Sequence, residues 1–125
     1  MASAERAWAA HLLPVRLLRL RITGGSMSPT LREGDWTLFR YCPGGMTKRA
    51  LERAMGKVVL VQRVAAPELL TVKRLNKVLD TGYWVEGDNK EASTDSRQYL
   101  TLAREEIVGV FVLRYRRGSA REITE

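Results

Sequence analysis

Val58-Val59-Leu60-Val61-Gln62-Arg63-Val64 leads through Ala65-Ala66-Pro67-Glu68 into Leu69-Leu70-Thr71-Val72-Lys73-Arg74-Leu75. The first string is a β-branched run that suits a strand. Pro67 marks the turn into a second strand over residues 69–75. Working outward, residues 15–22 (Val-Arg-Leu-Leu-Arg-Leu-Arg-Ile) partly alternate apolar with basic side chains and predict a strand that ends at Gly24-Gly25. Residues 36–41 predict another, set between Gly34-Asp35 and Pro43-Gly44-Gly45. Thr47 suits the cap of a short helix over 48–55, with Glu52 at the fifth residue after it rather than the third. Residues 83–86 and 107–115 complete about six strands. A helix is expected over residues 1–13, with Trp8, Leu12 and Leu13 on one side and Pro14 breaking it; residues 116–125 form a polar tail. The sum is a mainly β chain: a twisted antiparallel sheet or barrel-like fold with one or two short helices.

With 125 residues the chain suits one domain with a modest core. An apolar content of 45% and a charged content of 28% exclude a disordered or fibrous chain. The net charge of +7 suits nucleic acid, an anionic membrane surface or an acidic substrate. The arginines are scattered, however, with no long basic tract, so nucleic acid is not expected. Cys42 is the one cysteine; it cannot form an internal disulfide and reads as structural or incidental. Residues 8–20 are apolar-rich but interrupted by His11, Pro14, Arg16 and Arg19, so neither a spanning helix nor a secretory signal is expected. Zinc, P-loop and dinucleotide motifs are missing, and no metal or cofactor is expected. His11 is the single histidine and reads as a surface residue, which removes the usual partner of a catalytic serine.

Three blocks carry possible chemistry. Gly24-Gly25-Ser26-Met27-Ser28-Pro29-Thr30-Leu31 sets Ser26 where glycine backbone permits close approach, so it either presents its hydroxyl and amide to a groove or is a plain loop. Lys73 shares a strand face with Leu69, Thr71 and Leu75. Burial there depresses its pKa and leaves a neutral amine able to act as a base; the alternative is a lysine that snorkels to solvent. Gly87-Asp88-Asn89-Lys90-Glu91-Ala92-Ser93-Thr94-Asp95-Ser96-Arg97 offers Ser93 to hold the amine, with Asp95 and Arg97 spaced to pair and stiffen the loop. Its alternative is a solvated connection between strands.

In wording and order these blocks resemble the type I signal peptidase family of serine proteases, over about residues 22–115. The motifs are Ser26-Met27-Ser28-Pro29-Thr30-Leu31, Gly34-Asp35, Lys73-Arg74, and Gly87-Asp88-Asn89 with Ser93, Asp95, Ser96 and Arg97. The resemblance implies Ser26 as nucleophile, Lys73 as general base and Ser93 as the group that orients it. It also implies an oxyanion hole built from the Ser26 amide, with Gly24 and Gly25 as neighbours, and a structural loop of Asp88, Asn89, Asp95 and Arg97. Some relatives carry a serine at the position of Gly24, so that hydroxyl donor is missing here; Leu100 stands where relatives carry glycine, while Tyr99 keeps the aromatic half of the pair. Substrate is implied to lie as an extended strand in a groove between sheets. The implied organisation is an extension over residues 1–21, a protease domain over 22–116 and a tail over 117–125. The short stretch before Ser26 points to the anchorless, cytoplasmic maturation proteases of this family, which trim precursors such as that of nickel superoxide dismutase.

Three rivals frame this reading. A signal peptidase bound peripherally to membrane would act on exported preproteins. A self-cleaving repressor shares the serine–lysine chemistry and a similar Thr71-Val72-Lys73-Arg74-Leu75 string, but lacks the third block. A basic β-barrel without catalysis would stack nucleic acid on Trp8, Trp36 and Trp84; core packing is the expected place for those tryptophans.

Overall fold

A computed structural model describes residues 16–118. The helix expected over residues 1–13, with Trp8 and His11, and the tail beyond Gly118 lie outside the described residues. Alternation of arginine with Leu18 and Leu20 gives strand β1 (Arg16–Arg21) one side that packs inward. It pairs with β2 (Trp36–Tyr41), Arg16 opposite Tyr41 and Arg21 opposite Trp36. Helix α1 (Lys48–Arg53) starts at Thr47, whose hydroxyl oxygen accepts from the Ala50 amide at 3.1 Å, the expected cap. Then come β3 (Val58–Gln62), β4 (Leu70–Leu79), β5 (Gly82–Glu86), the short helix α2 (Ser96–Tyr99) and β6 (Ile107–Arg116). Single 3-10 turns occupy Lys90–Ala92 and Arg104–Glu106. The strands form one antiparallel sheet in the order β1-β2-β6-β3-β4-β5; β1 and β5 are its edges, and it does not close into a barrel.

β3 is buried on both faces, which is why its sequence is an unbroken apolar run rather than an alternation. Val58 and Leu60 join a core with Ile22, Met27, Leu31, Phe39 and Val108. Val59 and Val61 join a second core with Met46, Leu51, Leu75, Val85 and Ile107. In the ladder Lys73 lies opposite Val59 and Val72 opposite Leu60. The lysine therefore starts on the face of the second core, while its neighbour Val72 packs toward Met27 and the serine loop.

Two expectations change. β4 does not stop at Leu75 but continues to Leu79, turning through Asp80-Thr81 into β5. Its register slips between Leu75 and Lys77, and the far end carries exposed Val78 and Leu79, so no buried face marks it in sequence. Trp36 and Trp84 are half-buried on the sheet surface rather than in a core. Arg19 lies 5.8 Å from the Trp36 ring centre and Lys77 lies 5.3 Å from that of Trp84, whose indole nitrogen donates to Glu86 at 2.7 Å. Cys42 is free and packs, half-buried, against the second core.

Candidate active site

Lys73 emerges from the buried middle of β4 and is 4% exposed. Its Nζ donates to Ser93 Oγ at 2.9 Å, and Ser93 Oγ donates to Asp95 Oδ2 at 2.7 Å. The same carboxylate oxygen accepts from the Gly87 amide at 2.9 Å. Oδ1 accepts from the Arg97 amide at 3.1 Å and from Arg97 Nε at 2.9 Å. Asp95 also caps α2 in a capping box with Gln98, so helix formation and site formation use one residue.

The direction of these bonds has a chemical result. The Ser93 proton is committed to Asp95, so the hydroxyl can only accept from Lys73. The amine must therefore donate, and its lone pair is directed elsewhere. Burial lowers the Lys73 pKa from its ordinary value; the charge of Asp95 raises it in part, and that of Arg97 lowers it further. Ser93 keeps the carboxylate one hydroxyl away, where a direct ion pair would hold the lysine charged. For Asp95 itself burial works against ionisation, but hydrogen bonds from Arg97, Gly87 and Ser93 outweigh it and hold the carboxyl well below the usual carboxylate range.

The serine loop is held by the beginning of the same block. The Asn89 amide donates to the Ser26 carbonyl at 2.8 Å, and Asn89 Nδ2 donates to the Gly25 carbonyl at 3.1 Å. Asp88 accepts from Thr30 Oγ1 at 2.5 Å, and its own amide approaches Met27 Sδ at 3.5 Å. Arg74 grips Asp88 with two bonds of 2.8 Å and donates to the Gly56 carbonyl at 2.8 Å. Hydrogen bonds from Arg74 hold the Asp88 carboxyl below its ordinary range, against its burial. Gly87 must be glycine: a Cβ there would collide with the Ser93 side chain and stand 2.7 Å from the Ser26 carbonyl oxygen. Serine loop and lysine network thus meet at one Cα. At Gly24 the φ of +78° is what requires glycine, since a Cβ there would meet nothing within 4 Å.

Ser26 is half-buried, and among the described residues its hydroxyl and its amide make no hydrogen bond. The amides of Gly24 and Gly25 are likewise without an acceptor. Ser26 and Lys73 line one cleft of about 160 Å³, between Leu20–Thr23 on one side and Leu69–Lys73 on the other. No hydrogen bond joins Ser26 Oγ to Lys73 Nζ. The structure thus brings Ser26, Lys73, Ser93, Asp88, Asn89, Asp95 and Arg97 into one region. Sequence reasoning missed the roles of Thr30, Met27 and Arg74 in bracing the loop; the Lys73-Arg74 pair was its only signal. At the end of α2, Leu100 has φ 68° and ψ −152°, a region nearly reserved for glycine.

The buried, desolvated Lys73 amine and the unpaired Ser26 hydroxyl line the same cleft on a β framework. The family model for signal peptidase, peptidase S26, matches residues 52–116, just over half of the chain. The chain belongs to that family and is a signal-peptidase-like protein of the peptidase class. The matched stretch takes in Lys73 and the whole third block and begins after Ser26. No curated protein matches the chain. Among the described residues no helix is long and apolar enough to cross a membrane.

Proposed function

We propose that the chain is a serine endopeptidase with Ser26 as nucleophile, Lys73 as general base and Ser93 as the residue that positions Lys73. The supporting observation is the Lys73–Ser93–Asp95 relay, which buries the amine at the wall of the cleft that Ser26 also lines. Neutral Lys73 takes the Ser26 proton as Oγ attacks the scissile carbonyl carbon. The oxyanion is met by the Ser26 amide with Gly24 and Gly25 beside it, one such donor being worth about 3 kcal/mol in the transition state. The Lys73 ammonium then protonates the leaving amine. Water, deprotonated by the same amine, hydrolyses the acyl-enzyme. This mechanism requires Ser26 and Lys73 to come within hydrogen-bond distance in the substrate complex, where catalytic hydrogen bonds often tighten.

The cleft suits an extended peptide. Over residues 70–73 β4 pairs with β3 on one side, while β5 joins its other side only from Arg74 onward. That leaves a backbone edge for an added substrate strand. The substrate we favour is a precursor losing an N-terminal propeptide in the cytoplasm, such as that of nickel superoxide dismutase. The test incubates wild type and Ser26→Ala with candidate precursors and reads new N-termini by mass spectrometry. New termini in both samples, or in neither, overturn the reading.

One observation favours a second substrate class, exported preproteins cut at a membrane. β1, β2 and β6 carry six arginines and no carboxylate, with Leu17, Val112, Leu113 and Tyr115 exposed. Co-sedimentation with anionic vesicles but not neutral ones would support it.

A further inference from the structure

Lys73 borders a second hollow of about 170 Å³, walled also by Arg63, Ala66, Leu69, Thr71, Thr94 and Tyr99. It shares Leu69, Thr71 and Lys73 with the cleft that holds Ser26. Its chemistry is one-sided. The Arg63 guanidinium lies 4.0 Å from the centre of the Tyr99 ring, a stacking that fixes the cation at the wall. No carboxylate lines the hollow, and among the described residues none pairs with Arg63. The carboxylates that act on Tyr99 are Asp95 and Glu106. Asp95 is taken up by Ser93, Gly87 and Arg97; Glu106 accepts from the amides of Val64 at 2.9 Å and Ala103 at 2.8 Å. The Thr71 and Thr94 hydroxyls make no side-chain hydrogen bond among the described residues. The Tyr99 hydroxyl is buried without a partner. One guanidinium and the Thr71 and Thr94 hydroxyls border a space with no anionic acceptor of its own, a donor set that fits a carboxylate.

Resting on the protease reading above, we infer that this hollow is a specificity subsite for an acidic side chain of the polypeptide being cut, close to the scissile bond, with Arg63 reading its charge. The chain is basic overall, which draws such substrates toward it, but the hollow confines the preference to one substrate position. Tyr99 acts through Arg63 as the shelf that holds the guanidinium.

The test exposes a pool of synthetic peptides with randomised positions to full-length wild type, Ser26→Ala, Arg63→Lys and Arg63→Glu. Products are sequenced by mass spectrometry. Wild type should enrich Asp and Glu over Lys by about tenfold at a single position near the cut, the effect of one charge-assisted contact. Arg63→Lys should keep the sign of that preference and Arg63→Glu should invert it. A flat profile in wild type, or a preference that survives Arg63→Glu, overturns the subsite. Ser26-dependent cleavage with no acidic preference sinks the subsite alone; no Ser26-dependent cleavage sinks the protease reading with it. Should Arg63→Glu lose the wild-type circular dichroism and thermal transition, Arg63→Gln decides, and there the preference must vanish.

Discussion

The Ser93 side chain and the Ser26 carbonyl both crowd the Cα of Gly87, yet the two serine hydroxyls are in opposite conditions. Ser93 is buried, accepts from Lys73 and donates to Asp95. Ser26 is half-buried at the cleft and its hydroxyl bonds to nothing among the described residues. A hydroxyl with proton and lone pair both engaged is fixed in space and cannot attack a carbonyl. A hydroxyl left free at an accessible wall can. The surroundings separate a positioning serine from a candidate nucleophile where residue type does not.

The most severe way to break this contrast is to remove the free hydroxyl or the amine. Ser26→Ala and Lys73→Ala should each lower kcat/KM at least about a thousandfold, since residues acting as a unit fail together. Thermal melting should show both variants folded, and retained activity in either would end the dyad proposal. Next in size is the anchor of the engaged serine. Asp95→Asn removes a buried charge that several donors address, and should cost about 3 kcal/mol in urea unfolding at neutral pH. That contribution is present above the ordinary carboxylate value of 3.8, because the folded pKa lies below it, and is lost as pH falls from there toward the folded value. Ser93→Ala should lower kcat by about tenfold to a hundredfold and change the lower limb of the pH–rate profile, which reports Lys73. An unchanged rate and limb would strip Ser93 of its role.

A gentler comparison uses pH. Folding lowers the Lys73 pKa from 10.5, so between the folded value and 10.5 the unfolded chain binds more protons. The stability of wild type relative to Lys73→Met should therefore rise with pH through that window, as read by urea unfolding at several pH values. The smallest expected effect is Leu100→Gly, which relieves strained backbone and should gain about 1 kcal/mol, net of glycine's larger unfolded-state entropy. A loss of stability would show that the exposed Leu100 side chain contributes more than its backbone costs.

Most of the framework was legible in sequence because its signals are local. The β-branched run of β3, the arginine–leucine alternation of β1 and the Thr47 cap each act within a few residues. The end of β4 was not, since Lys77, Val78 and Leu79 extend a hairpin with no buried face to impose a period. Trp36 and Trp84 were misplaced because an indole beside a cation is as well satisfied at the surface as in a core. At the site, Ser93, Asp95 and Arg97 were legible as a cluster because they are close in sequence. The grip of Arg74 on Asp88, and the stacking of Arg63 on Tyr99, join residues far apart in the chain, and no spacing rule announces them.

The bare edge of β4 has a colloidal consequence. A strand edge open to a substrate is equally open to the same edge of a second molecule, the usual start of sheet-to-sheet aggregation. Leu69 and Leu70 are exposed beside it and do nothing to discourage such pairing. What opposes it is long-range repulsion between chains of net charge +7. Salt shortens that repulsion to a few ångströms at molar strength. The protein should therefore be most monodisperse in dilute buffer, and light scattering should show growing assemblies as salt is added, with an edge-blocking Leu70→Pro substitution, which removes an outward N–H rather than one bonded to β3, suppressing them.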